Sequence, residues 1–207
     1  MKLYYAPNTC SLASHIVLRE LGLPFDLVKV DIRAKRTSDG RDYLSINPKG
    51  YVAALELDGG DVVTEGAAIV QYLADLRPER GLAPAAGTMA RVRLQEWLAF
   101  ITSELHGGMG PLFNPSLPDD ARVLFREKLS RRFDYLQGIL AVQDYVMGDT
   151  FSVADAYLFT VLGWCDYVGI DIARWPALPV FVARVGDRPT VQAALRAEAG
   201  EEAVEVV

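Results

Sequence analysis

Apolar and polar positions divide the 207-residue chain into two regimes. The first mixes short β-like runs with helical spacing, and the second keeps the helical period alone. Leu3, Tyr4 and Tyr5 form a β-prone run that Pro7-Asn8 breaks. Leu12, Ile16, Leu18 and Leu21 then recur at helical spacing, and Gly22 and Pro24 close that helix. Residues 25–31 read as a strand, mostly apolar and partly alternating, at the separation a right-handed βαβ unit needs. Residues 33–50 are polar and irregular and end in Ile46-Asn47-Pro48-Lys49-Gly50. Residues 54–57 and 62–64 flank Asp58-Gly59-Gly60-Asp61, a hairpin signal. Glu65-Gly66 opens a helix through Ala68, Ile69, Tyr72 and Leu73. The order βαβ, irregular connection, ββα predicts a thioredoxin-like α/β domain.

Residues 77–88, rich in Pro, Gly and Ala, are the best linker candidate. The expected division is therefore a thioredoxin-like domain over 1–78, a linker over 79–88 and an all-helical domain over 89–207. Leu94, Trp97, Leu98, Ile101 and Leu105 make one apolar stripe on a helix that Gly107-Gly108 should end or kink, and residues 111–118 read as a loop. Phe125, Leu129, Phe133, Leu136 and Leu140 mark a second long helix. Ser152-Val153-Ala154-Asp155 is a capping box. The run from 153 to 168 is apolar almost all round, so it belongs at the centre of its domain, with Cys165 in the core. Trp175 to Pro179 starts a shorter helix, and Arg188-Pro189 breaks the chain before a last amphipathic segment.

Composition narrows the function classes. Twenty-one Lys+Arg against 27 Asp+Glu give a net charge of −6, which argues against a nucleic-acid surface. No apolar run reaches the roughly 18–20 residues of a membrane span, and no secretory signal pattern opens the chain. Two cysteines, Cys10 and Cys165, make no disulfide framework, so a cytoplasmic protein is expected. No metal is expected, because His15 and His106 lie far apart without ligand spacing around them. Cys10-Ser11 sits where the first helix opens. Unpaired amides and the helix dipole there favour a thiolate, the form that acts as nucleophile. The alternative is a small buried apolar residue, and position alone leaves both open. His15 is placed on the outer face of the first helix, without a role.

Five local motifs follow one another in order. They are Tyr5-Ala6-Pro7-Asn8-Thr9-Cys10-Ser11-Leu12-Ala13, Asn47-Pro48-Lys49-Gly50, Thr64-Glu65-Gly66, Ser103-Glu104-Leu105-His106 and the run from Phe151 to Leu158. Together with the two-domain order, they resemble the glutathione S-transferases, the bacterial beta class in particular, over essentially the whole chain. The resemblance implies that fold, glutathione as co-substrate and a homodimer. By resemblance, Glu65 and Gly66 hold the γ-glutamyl group, Lys35 meets the glycyl carboxylate, and Tyr51 and Val52 flank the tripeptide. The Val52 backbone would pair with it like an added strand. Ser103 and Glu104 would reach into the partner's site, and His106 would line the pocket for the second substrate. Cys10 would form a mixed disulfide with glutathione, with Ser11 donating to its sulfur.

Three positions depart from the pattern. Ala53 stands where the family has a proline preceded by a cis bond. A cis bond costs about 0.5–1 kcal/mol before proline and about 2.5–4 kcal/mol before another residue, so a trans Val52–Ala53 bond, a rearranged loop and weaker glutathione binding are expected. Ala99 replaces an asparagine and Gly107 a lysine. Each loses a polar group worth about 0.5–3 kcal/mol when bonded to a charged ligand.

The leading expectation is a detoxifying transferase that adds the glutathione thiol to small hydrophobic electrophiles. The rivals are a glutathione-dependent thiol–disulfide reductase or reductive dehalogenase, and a non-catalytic binding or regulatory protein on the same scaffold.

Overall fold

A single mixed sheet organises the N-terminal part of the chain. A computed structural model describes residues 1–200. β1 (Lys2–Tyr5), β2 (Asp26–Asp31), β3 (Arg36–Thr37), β4 (Ala54–Glu56) and β5 (Val62–Thr64) lie in the order β3-β2-β1-β4-β5. β1 and β2 are parallel, joined through α1 (Ser11–Leu21), with Leu3 paired to Leu27. β4 runs antiparallel to β1 and forms a hairpin with β5. Leu3, Tyr4 and Leu55 are fully buried in the sheet, and α2 (Gly66–Leu76) packs beside α1 through Ile69, Val70 and Leu73. The expected βαβ–ββα order is present. β3 is an addition to it: two polar residues pair with Val30 and Asp31, too few to show an alternating pattern.

The chain divides into two compact units that differ from the expected boundaries. One runs from Met1 to Arg80 and takes up the chain again from Asp187; the other is Gly81–Gly186. α8 (Pro189–Ala199) therefore belongs with the sheet, against α1, and not with an all-helical domain ending at 207. Residues 201–207 of that expected domain lie outside the described residues.

The physical reason is on α1, where every residue from Ser11 to Leu18 is buried and no outer face remains. His15, expected there at the surface, is fully buried. Its Nδ1 lies 3.0 Å from Glu198 Oε1 of α8, and its Nε2 accepts from Arg19 Nε at 2.8 Å. A second clasp joins the same helices. Arg188 donates to both Glu20 oxygens at 2.6 and 2.9 Å, and Thr190 donates to Glu20 as well.

In the second unit, α3 (Met89–Phe100) continues into a π-helical turn, Ile101–His106, then α4 (Gly107–Met109) and a 3-10 turn, Gly110–Phe113. The helix does not end at Gly107-Gly108. Its ladder widens instead, and the Gly107 amide reaches the Thr102 carbonyl. A Cβ on Gly107 would stand 3.3 Å from that oxygen, a tight approach that glycine avoids. α5 (Asp119–Leu140) starts six residues before Phe125, because its polar first turn carries no apolar signal. α6 (Val153–Leu162) is buried at every position, as expected of a central helix, although it stops at Gly163, short of 168. Asp155 caps it: its carboxylate accepts from the Ser152 amide and the Val146 amide, both at 2.8 Å, and from Ser152 Oγ at 2.7 Å. α7 (Ala177–Gly186) completes the unit, and Cys165 is buried in it. Among the described residues, no helix is long and apolar enough to cross a membrane.

Candidate active site

The β1–α1 turn is tied together by its own hydroxyls. Asn8 adopts the left-handed conformation at φ 60° and reverses the chain. Thr9 Oγ1 donates to the Ala6 carbonyl at 2.8 Å and meets Ser11 Oγ at 2.8 Å. Ser11 Oγ donates to the Ala6 carbonyl at 3.2 Å and accepts from the Ala6 amide at 3.3 Å. Ser11 is thus fully buried and committed to the turn. The expected bond from its hydroxyl to the Cys10 sulfur is not formed, because the side chain points inward to bond the backbone ahead of it.

Cys10 is the N-cap residue of α1, makes no side-chain bond to the helix and is half-buried. Its thiol donates to the Val52 carbonyl at 3.1 Å. Burial pushes its pKa up to about 11, against the pull of the Cys10 and Ala53 amides on the sulfur; the nearby Glu65 charge pushes it further up. Of the two states that position leaves open, thiolate and buried thiol, the surroundings of the sulfur favour the thiol. Desolvation of the sulfur raises its pKa by more than the amides at the helix terminus lower it.

The Val52–Ala53 peptide bond is cis, not trans as expected. Both ends of the segment are held. The Tyr51 carbonyl accepts from Tyr43 Oη and Asn47 Nδ2, each at 2.7 Å, while Ala54 pairs with Tyr4 and Thr64 in the sheet. Tyr51 itself turns its side chain outward, 72% exposed. Lys35 lies at φ 54°, and its ammonium donates to the Gly50 carbonyl at 2.9 Å. Gly50, at φ 71°, leaves room for that lysine, whose Nζ would lie 3.4 Å from a Cβ there.

Glu65 precedes α2 at φ 72°, and its carbonyl accepts from the Ala68 and Ile69 amides at 2.9 Å. The first amides of a helix have no intrahelical acceptor, so the Gly66 N–H is a ready donor to an anion. The Glu65 carboxylate is paired with Lys49, whose ammonium also donates to Thr64 Oγ1 at 2.8 Å. Lys49 lies within the Asn47-Pro48-Lys49-Gly50 motif, and the sequence alone assigns it no role. Its pairing depends on where the β4–β5 hairpin returns the chain, which no local pattern specifies. Cys10, Val52, Ala53 and Glu65 are thus brought together in the first unit, with Lys35 on the Gly50 loop.

The second unit holds the remaining expected site residues. His106 ends the π-helical turn, its Nδ1 2.7 Å from Tyr157 Oη and its ring edge-on to Trp164 at 4.9 Å between centroids. Tyr157 lies one turn inside the capped helix, and no local pattern in the sequence marks it as a partner of His106. Ser103 Oγ donates to the Ala99 carbonyl at 2.9 Å. Glu104 accepts from Arg132 Nε at 2.7 Å and lies 3.5 Å from Lys128 Nζ. The Arg132 guanidinium holds the Glu104 carboxyl below the usual carboxylate range, with the Lys128 charge assisting.

Comparison with known proteins agrees with this architecture. The glutathione S-transferase N-terminal domain model matches residues 9–76, and the C-terminal domain model matches residues 100–189. The chain is 46% identical over 198 residues to glutathione S-transferase GstA of Escherichia coli O157:H7, covering 96% of this chain and 98% of that protein. A sphingomonad glutathione S-transferase complexed with glutathione superposes with a TM-score of 0.93 at 47% identity, over 96% of this chain and 99% of the other. A bacterial beta-class glutathione S-transferase of Sphingomonas chungbukensis gives 0.93 at 44% identity, over 98% of this chain and 100% of the other. Domain models over more than half of the chain and these near-complete matches lead to one conclusion: the chain belongs to the glutathione S-transferase family and is beta-class-like.

Proposed function

We propose that this protein binds glutathione on its sheet-containing unit and transfers the glutathione thiol to small hydrophobic electrophiles. The observation that carries the reading is the convergence of Cys10, the Val52–Ala53 backbone and Glu65 in one unit of this family's fold. Glu65 takes the α-ammonium of the γ-glutamyl group and the Gly66 amide its carboxylate. The Val52 backbone pairs with the cysteinyl residue beside Tyr51, and Lys35 takes the glycyl carboxylate. In the reaction the glutathione S–H loses its proton and its sulfur bonds to the electrophilic carbon. A leaving anion departs, or a proton returns to an activated alkene. Binding aligns the two reactants, so no covalent step on the protein is required. Ser11 positions Cys10 through the turn. His106, oriented by Tyr157, is assigned to the second substrate.

We assign the protein to the cytoplasm, in detoxification, as a homodimer to which Ser103 and Glu104 contribute across the two-fold axis. Trp97 and Tyr135 stack at 5.8 Å with Phe100 edge-on, and Tyr135 is 52% exposed; an aromatic patch of that kind supports a protein contact. The test of the activity is incubation with glutathione and an activated aryl chloride. A thioether product with stoichiometric chloride release supports transfer, and its absence at saturating glutathione rejects it.

A further inference from the structure

The Lys49–Glu65 pair has a bearing on which ligands the site accepts, given the reading of Glu65 and Gly66 above. Lys49 is fixed at both ends. Its amide donates to Asn47 Oδ1 at 3.2 Å, and the buried Asn47 in turn holds the Tyr51 carbonyl. Its ammonium bridges Thr64 Oγ1 and the Glu65 carboxylate. That ammonium therefore occupies the carboxylate that a ligand's own ammonium would take. Both side chains are about half exposed or more, so the pair is weak and readily exchanged.

We propose that Lys49 is a specificity-determining residue that selects a terminus carrying both an α-ammonium and an α-carboxylate. A ligand ammonium on Glu65 must compete with Lys49. A carboxylate on the same ligand carbon, directed to the Gly66 amide, gives the displaced lysine a new partner while Thr64 still holds it. A ligand with only the ammonium meets the competition without that compensation. Lys49 thus opposes one charge of the terminus and favours the other, and only a zwitterionic end satisfies all of the groups at once.

The test is calorimetric, using three ligands and the full-length chain. The ligands are glutathione, glutaryl-cysteinyl-glycine, which lacks the α-ammonium, and 4-aminobutyryl-cysteinyl-glycine, which lacks the α-carboxylate. In wild type, losing the carboxylate should weaken binding strongly. In Lys49→Met that penalty should shrink by about fivefold, the scale of one exposed charge pair, while the penalty for losing the ammonium grows. Lys49→Arg keeps the charge and should keep both penalties close to wild type. Penalties in Lys49→Met that match wild type within about twofold, in a protein that still binds glutathione, overturn the role of Lys49 alone. A wild-type protein that binds none of the three ligands overturns the glutathione site itself and this proposal with it.

Discussion

The Cys10 thiol donates to the Val52 carbonyl across 3.1 Å, and this contact ties the first strand–helix turn to the segment that enters β4. The cysteine is therefore part of the frame that presents the Val52–Ala53 backbone as well as a potential reactant. Its proton is held in place by the same carbonyl, and burial keeps the group a thiol. At Cys10 desolvation raises the thiol's pKa by more than the amides of the helix N-terminus lower it.

Reactivity of Cys10 should accordingly climb with pH. With its pKa pushed up to about 11, the thiolate fraction rises roughly tenfold per pH unit between pH 7 and 10. Iodoacetamide labelling in a Cys165→Ser background, followed by mass spectrometry, should show that slope without a plateau near neutrality. A rate that levels off by pH 8 would mean a thiolate at rest. Cys165 is buried, with its pKa pushed up to about 12, and should label only on unfolding.

Replacing Cys10 by alanine separates conjugation from covalent redox chemistry. Conjugation should persist within about tenfold of wild type, because the reacting thiol is glutathione's own. Formation of a protein–glutathione mixed disulfide should disappear. Loss of both activities together would assign the covalent route instead.

The C-terminal helix should be released by acid. Burial raises the Glu20 pKa, but its bonds from Arg188 and Thr190 outweigh that and hold it below the usual carboxylate range. A carboxylate whose pKa is depressed by folding contributes stability above its unfolded pKa and loses it as pH falls through the folded one. Protection of α8 amides in hydrogen exchange should fall below about pH 4, and Arg188→Ala should cost about 1–3 kcal/mol at neutral pH in urea denaturation and weaken the acid dependence. Glu198→Ala should cost a similar ~1–3 kcal/mol by leaving His15 buried without its acceptor.

The sheet and its helices are legible in the sequence because the period of the apolar positions changes where the elements change. Leu3 to Tyr5, the Asp58–Asp61 turn and the Ser152–Asp155 box are local signals of local structure. Relations between distant segments are not legible. His15 reads as a lone polar residue on a helix until α8 brings Glu198 to it, and Lys49 reads as a solvated lysine until the hairpin brings Glu65 back. Ser11 carries a hydroxyl beside the thiol in sequence, yet the tight turn directs it to Ala6. The same limit applies to the thiol, because its burial depends on the Val52 segment some forty residues on.

If Glu65 and the residues around it hold glutathione as proposed, calorimetric titration of the reduced protein with glutathione reads the binding out. One site per chain is expected, at micromolar to low millimolar strength. Glu65→Gln, which removes one exposed charge pairing, should raise Kd roughly fivefold. Absence of binding in the wild type, or binding that Glu65→Gln leaves unchanged, would contradict the proposal.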